Sequence, residues 1–272
     1  MFSRLEMWME WVKVSPANFA IYFVFWAIAI LGSLTLHELA HGYVAYRCGD
    51  PTAKMLGRLS LNPLKHLDPM GTVFMFLLGF GWAKPVPVNP RNFRNDRRDD
   101  IAVSLAGVCV NLTLFIVSLG LCVALNGMVL KNATVGMYYS MEGGALRQND
   151  FLQLGMYQSL FHAISFDHFA VNGLFATPVL FYVQLFFSML AMTNLGLGLF
   201  NLLPIPPLDG FHVLNDIVLK GRLQMGGQLF RVMQMAMFVL LFSGVLDNVL
   251  STMINSVYSA VLNLFLMIAG KI

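Results

Sequence analysis

Charge is what this sequence has least of. Lys and Arg number 17 and Asp and Glu 14 in 272 residues, 11% of the chain, against 57% hydrophobic residues and a mean hydropathy of +0.68. A soluble domain carries roughly twice that charged fraction, so a water-soluble globule is excluded and an integral membrane protein is implied. The net charge of +3 is too small to mark a nucleic-acid surface. The basic residues sit in loops, where they orient spans rather than follow a phosphate backbone. Cysteine is scarce as well: Cys48, Cys109 and Cys122 are odd in number and two lie in apolar runs, so no disulfide framework is implied. Six histidines are too few for the repeated boxes of a di-iron membrane oxygenase. Internal repeats and low-complexity tracts are absent too. The first apolar run, behind Arg4 and Lys13, lacks the small-residue cleavage pattern of a signal peptide and reads as a retained span.

Runs of about 20 apolar residues are long enough to cross a bilayer. Residues 18–46, 101–126 and 176–203 each supply one, while 228–269 is too long for one ordinary span; SGVLDN (243–248) could break it into two, and the sequence leaves one or two helices open. Between the first two full spans lies MGTVFMFLLGFGWAKPVPVNP (70–90), whose apolar part is too short to cross; Pro85, Pro87 and Pro90 oppose a regular helix. A re-entrant or extended hairpin is expected, since irregular backbone at membrane depth survives only against protein or a water-filled cavity. The expected fold class is therefore an all-α polytopic membrane protein with about four to five transmembrane helices and that hairpin. Residues 1–17 read as an amphipathic interfacial segment carrying Leu5, Trp8, Trp11 and Val12, 18–215 as the membrane core, and 216–272 as C-terminal membrane segments. Lys and Arg crowd 47–98 and recur at Lys220, Arg222 and Arg231, whereas 127–175 holds only Lys131 and Arg147. Positive loops face the cytoplasm, which places the amino terminus and the 127–175 loop outside.

What is there, inside the first span, is LTLHELAHGY at 34–43. Ionisable groups in a span are costly and rarely left without a partner or a task. His37 and His41 lie four residues apart and share a helical face, with Glu38 beside them. That arrangement suits a zinc ion plus a general base. Zinc in a hydrolytic site takes three protein ligands and keeps a position for water, so a third ligand must come from elsewhere. Asp209 in NLLPIPPLDGFHVL is the strongest candidate. Pro204, Pro206 and Pro207 end the third span, Gly210 permits a turn, and the charge pattern puts both clusters at one depth. His212, three residues on, is the rival ligand. One Zn2+ per chain, held by two imidazoles and a carboxylate, lowers the pKa of a bound water and polarises a carbonyl. Glu38 takes the proton of that water and hands it to the leaving amine. The reaction class is metal-assisted amide hydrolysis. The alternative is a membrane metal-ion transporter using the same His/Asp cluster as a transit site, although a transporter would string its ligands across the membrane depth.

Paired in this way, HELAH and NLLPIPPLDG resemble the site-2 protease family of zinc intramembrane metalloproteases. GDPTAKMLGRLSLNPLKHLDPMGT and GWAKPVPVNPRNFR resemble its compact bacterial branch, which lacks a PDZ domain; the likeness covers residues 30–111 and 190–215. It implies that His37, His41 and Asp209 ligate zinc, that Glu38 is the catalytic glutamate, and that Asn201 donates a hydrogen bond to the scissile carbonyl oxygen. The family's A-G-P-x-x-N stretch is AGVCVN here (106–111), with Val108 replacing the proline.

Pro85, Val86 and Pro87, extended with unpaired edges, are candidates to receive an unwound substrate segment as an added strand. Asn111 is a candidate for positioning substrate or for bridging helices, and Gly196 and Gly198 permit close helix approach. His66 and Asp68 read as loop-ordering and turn residues, His162 and His168 as ordinary histidines of the external loop. The expected substrates are single-span transmembrane proteins or signal-peptide remnants, cut near the cytoplasmic face. Membrane lipid and a regulatory adaptor protein are further partners, with no nucleic acid. The expected location is the inner membrane of a bacterium, multi-pass, with the amino terminus outside.

Overall fold

The computed structural model describes residues 3–78, 81–129, 152, 178–220 and 227–270. Among these, nine α-helices form: α1 (Ser3–Val14), α2 (Pro16–Cys48), α3 (Thr52–Met55), α4 (Pro69–Leu78), α5 (Asp96–Val129), α6 (Pro178–Asn201), α7 (Asp209–Ile217), α8 (Gly227–Phe242) and α9 (Val245–Ile268). Four are long and apolar enough to cross a membrane: α2, Asp96–Asn126 of α5, Val179–Asn201 of α6, and α9. The chain is an all-α polytopic membrane protein. At 1.5 Å per residue, the 16 residues of α8 reach only about 24 Å, short of a hydrocarbon core of about 30 Å. Most of the expected external loop, with His162 and His168, lies outside the described residues.

Local chemistry accounts for the helix ends. Pro16 opens α2 at the position where a missing N–H is no loss. Gly49, at φ 114°, closes it: Asp50 N–H donates to Ala45 O and Gly49 N–H to Tyr46 O, a Schellman pair that needs a residue free to take positive φ. Asn95 caps α5 by accepting from Arg98 N–H, and Asp99 reaches back to Asn95 N–H. The long apolar stretch 228–269 breaks into two helices at Ser243 and Gly244, where the glycine takes φ 73°.

The chain packs as two compact units. One comprises 1–30, 114–193 and 255–272. In it, the aromatic face of α1 folds onto the start of α2: the Trp8 ring meets Phe19, Phe23 and Trp26 edge-on at 5.9 Å, and Trp11 lies 4.8 Å from Tyr22. Gln184 of α6 donates to Cys122 O of α5, and Tyr258 of α9 donates to Leu152 O.

The other unit comprises 31–113 and 194–254 and holds the polar clusters singled out above. The 70–90 segment, expected as a re-entrant or extended hairpin, opens with a helix. Its first arm is α4, and residues 81–89 carry no regular element beyond an isolated antiparallel bridge between Ala83 and Leu67. The reason is where the prolines fall: all three lie in the second arm, and the first is free to be helical. A Cβ on Gly71 or Gly81 would collide with Trp82 O or Gly71 O, so glycines let the returning chain lie close on α4, and Trp82 stacks on Phe74. Leu203, Leu208, Met237 and Leu246 form a buried cluster that seats the proline-rich turn against α8 and α9.

Candidate metal centre

Three side chains from two distant parts of the sequence meet in the second unit. His37 and His41 stand one turn apart on α2, and Asp209 is the first residue of α7. His37 Nε2 and His41 Nε2 are 3.0 Å apart, and Asp209 Oδ2 lies 3.3 and 3.4 Å from them. A tetrahedral ion bound at about 2.0–2.1 Å sets its ligand atoms about 3.3–3.4 Å apart, which is the observed triangle with the imidazole pair slightly compressed.

The hydrogen-bond chemistry of the set fits a cation as well. His37 Nδ1 donates to Asn111 Oδ1 at 2.6 Å, and His41 Nδ1 donates to Val103 O at 2.7 Å. With the Nδ1 protons so placed, both Nε2 lone pairs point at the same spot. The third party, Asp209 Oδ2, is buried with no hydrogen-bond partner among the described residues. Three acceptors facing one another repel unless a positive charge sits among them, and two nitrogens with one carboxylate oxygen are a donor set zinc favours. The residues therefore fit the metal.

A spacing rule brings the support together. Val103, Gly107 and Asn111 follow at one-turn intervals on α5, matching the one-turn interval of His37 and His41 on α2. The outer two residues supply the two acceptors. The middle one must be glycine, because a Cβ there would lie 2.5 Å from both His41 Nε2 and His37 Cε1. Gly210 serves a similar purpose on α7. Its Cβ would collide with Leu202 O, so the requirement is close approach, whereas the sequence suggested freedom in a turn. Gly198 lies against Leu112 and Asn111, while among the described residues nothing lies within 4 Å of the Cβ position of Gly196.

The other sequence-derived residues fall as follows. Glu38 Oε2 accepts from Val86 N–H at 2.8 Å, so the 81–89 segment is tied to the glutamate beside the candidate ligand His37. The expectation of unpaired edges fails on the donor side: Lys84 N–H goes to His66 O, Val86 N–H to Glu38, and Asn89 N–H to Asp50. Prolines at 85 and 87 remove the alternate donors, leaving carbonyls as what those positions offer. Asn111 is fully buried, and its amide is divided between His37 and Asn194, which makes it a helix-bridging support of the histidine. Asn201 Nδ2 donates to Leu197 O one turn back on its own helix, a contact that uses one of two amide protons. His212 is outside the triangle. Its Nδ1 lies 3.6 Å from Asp100 Oδ2, and that carboxylate raises its pKa. Asp216 is pushed up to about 6, by burial first and then by Asp100. His66 Nε2 donates to Ser60 O within its own loop, and Asp68 caps α4 by accepting from Gly71 N–H.

Sequence reasoning missed Val103, Asn194 and Asp50. The last is fully buried and receives Thr52 N–H, Thr52 Oγ1–H, Asn89 N–H and Asn92 Nδ2–H, pinning the 89–92 loop to the end of α2. Burial alone would raise its pKa, but these donors outweigh burial and hold it below the usual carboxylate range. Only the Asp–Thr spacing at 50–52 hinted at this, as a local turn.

Comparison with known proteins bears on the family. The model of Peptidase family M50 matches residues 25–244. The chain is 40% identical over 194 residues to "Putative zinc metalloprotease YwhC" of Bacillus subtilis, covering 71% of this chain and 69% of that one. It is also similar to proteins of the same description called Rip2: 33% identical to that of Mycolicibacterium smegmatis, over 42% of this chain and 46% of the relative. The Rip2 of Mycobacterium tuberculosis is 35% identical over 39% of this chain and 43% of the relative. No solved structure matches significantly.

Proposed function

We propose that this chain, which belongs to peptidase family M50 and is a membrane zinc metalloprotease, hydrolyses peptide bonds within transmembrane helices of its substrates, near the cytoplasmic face. The observation that carries this reading is the meeting of His37, His41 and Asp209 within coordinating reach of one ion, directly beside Glu38 on a membrane-spanning helix. His37 Nε2, His41 Nε2 and Asp209 Oδ2 would hold the zinc. When bound, zinc supplies Lewis acidity that lowers the pKa of water toward neutrality and polarises a carbonyl.

The rest of the work falls to the chain itself. Glu38 takes the proton of the attacking water and delivers it to the departing amine, a positioned carboxylate acting as base and then as acid. The Val86 N–H fixes one oxygen of that carboxylate. Asn201 supplies an amide proton to the carbonyl oxygen as negative charge develops on it. A substrate helix hides its carbonyls in its own hydrogen bonds, so it must unwind before attack. The 84–88 segment receives the unwound strand, and its Pro85 and Pro87 carbonyls accept from substrate N–H groups. Basic loops at the cytoplasmic side would orient the chain with its amino terminus outside, in the inner membrane of a bacterium. The substrates are single-span proteins or signal-peptide remnants, with an adaptor protein and membrane lipid as further partners.

The test compares membrane proteomes of cells carrying wild-type chain and Glu38→Gln, alongside purified protein with a helical substrate. Glu38→Gln retains zinc, abolishes cleavage and lets single-span fragments accumulate. Full activity in that variant would overturn the mechanism.

A further inference from the structure

The support of His37 does not stop at Asn111. Asn111 Nδ2 donates to Asn194 Oδ1 at 2.7 Å, and Asn194 Nδ2 donates to Ser33 Oγ at 2.8 Å. The chain runs from α2 through α5 and α6 and back to α2, one turn from the histidine it began on. Asn111 and Asn194 are fully buried and Ser33 nearly so. Buried side-chain amides in membrane helices are costly, and this series absorbs two of them at one end of a metal-ligand imidazole.

We infer that Asn194 and Ser33 are positioning residues for the zinc ligand His37, setting which of its nitrogens carries the proton. The inference rests on the zinc reading proposed above. A primary amide has a donor end and an acceptor end, so a row of such groups has a direction, and reversing one member reverses all. In the observed direction Asn111 presents its oxygen to His37 Nδ1, the proton sits there, and Nε2 offers a lone pair toward Asp209. In the reverse direction Asn111 would present its NH2 group, Nδ1 would become the acceptor, and the proton would move to Nε2, where it blocks coordination. Nothing about Asn111 by itself prevents that half-turn. Asn194 prevents it by receiving the Asn111 amide proton, and Ser33 by receiving that of Asn194. A serine hydroxyl can also donate, so Ser33 favours the useful direction by accepting from Asn194, and that bias passes back through Asn194 to Asn111. The carboxylate–histidine–metal arrangement of many zinc sites sets the tautomer with one charge; here three neutral groups in series do it.

The test measures zinc affinity of the full-length chain in detergent by competition with a chelator of known affinity, together with thermal unfolding of the metal-stripped protein. Asn194→Leu, close in volume but with no polar atoms, weakens zinc on the order of 10–100-fold, the usual cost of losing a supporting partner of a ligand histidine. Asn194→Asp is the decisive companion. A carboxylate can only accept, so Asn111 must give it the NH2 group and keep its oxygen on His37, and zinc affinity stays within about threefold of wild type. A merely structural role predicts the reverse order, because a buried carboxylate strains packing more than leucine does. Ser33→Ala gives a smaller loss, several-fold, which Asn194→Asp restores in the double variant. This single change also carries the test if Asn194→Leu fails to elute as a folded protein. Wild-type affinity in Asn194→Leu or in Ser33→Ala, or loss in Asn194→Asp equal to that in Asn194→Leu, overturns the inference while leaving the zinc reading intact. A wild-type chain that holds no zinc overturns the reading itself, and the His37→Ala chain serves as its control.

Discussion

Replacing Gly107 with alanine adds one methyl group to α5 at a place the geometry defines: 2.5 Å from His41 Nε2 and from His37 Cε1, and 2.6 Å from His37 Nδ1. Favourable contact between such atoms needs about 3.5 Å, so something must retreat by about 1 Å. If the imidazoles move, they leave a coordination sphere that tolerates only about 0.2 Å. If α5 moves instead, the His37–Asn111 and His41–Val103 bonds stretch from 2.6 and 2.7 Å to about 3.6–3.7 Å, outside hydrogen-bond range. Each such partner is worth roughly 10–100-fold in metal affinity, so losing both weakens zinc on the order of 100–10,000-fold.

Fold stability changes far less. Alanine gains about 1 kcal/mol in helix propensity over glycine, which offsets much of an overpacking cost of about 1–3 kcal/mol. The assay is zinc per chain, by elemental analysis, after equilibration with graded chelator in detergent. Gly196→Ala is the matched control, since its Cβ meets nothing within 4 Å among the described residues. Gly196→Ala should hold zinc like wild type, and Gly107→Ala should lose it while remaining helical and monodisperse. Wild-type zinc retention by Gly107→Ala would refute the reasoning.

Three further outcomes are expected. His37→Ala and Asp209→Ala lose zinc and cleavage together, in contrast to Glu38→Gln; elemental analysis of the purified chains separates the two behaviours. Val86→Pro removes the N–H that holds Glu38 and lowers kcat about tenfold or more with zinc retained, as removal of an orienting donor does; unchanged kcat would mean that the 84–88 segment has no part in the reaction. Asp50→Asn destabilises the chain by at least about 2 kcal/mol, the worth of one charge-assisted hydrogen bond. The pKa of Asp50 is depressed in the folded state, so its stabilisation is complete above about pH 4 and fades as pH falls through the folded value. Melting curves from pH 3 to 7 should show a shallower acid decline in Asp50→Asn than in wild type, from a lower starting point at pH 7.

Much of the site was legible because its parts are local. The one-turn spacing of His37 and His41 and the neighbouring Glu38 are properties of a single helix, readable wherever the helix ends up. The proline-rich stop before Asp209 is equally local. The 70–90 segment was legible only in its proline half. Its first arm, with glycine at 71 and an apolar run, suits either an irregular segment or a short helix, and close packing of Gly71 and Gly81 against Trp82 and Met75 selected the helix.

Composition and pattern alone determined that the chain lives in a membrane, where its long helices fall, and which side chains are candidates for metal binding, because hydropathy, proline geometry and helical period act over a few residues. Tertiary structure decided everything that depends on pairs far apart in the chain. The acceptor for His41 is the main-chain carbonyl of Val103, a group every residue possesses and no sequence can advertise. The row from His37 to Ser33 passes through Asn194, which lies 161 positions from the serine it meets. Only three-dimensional packing could put a glycine opposite two imidazoles and leave room there for nothing larger than hydrogen.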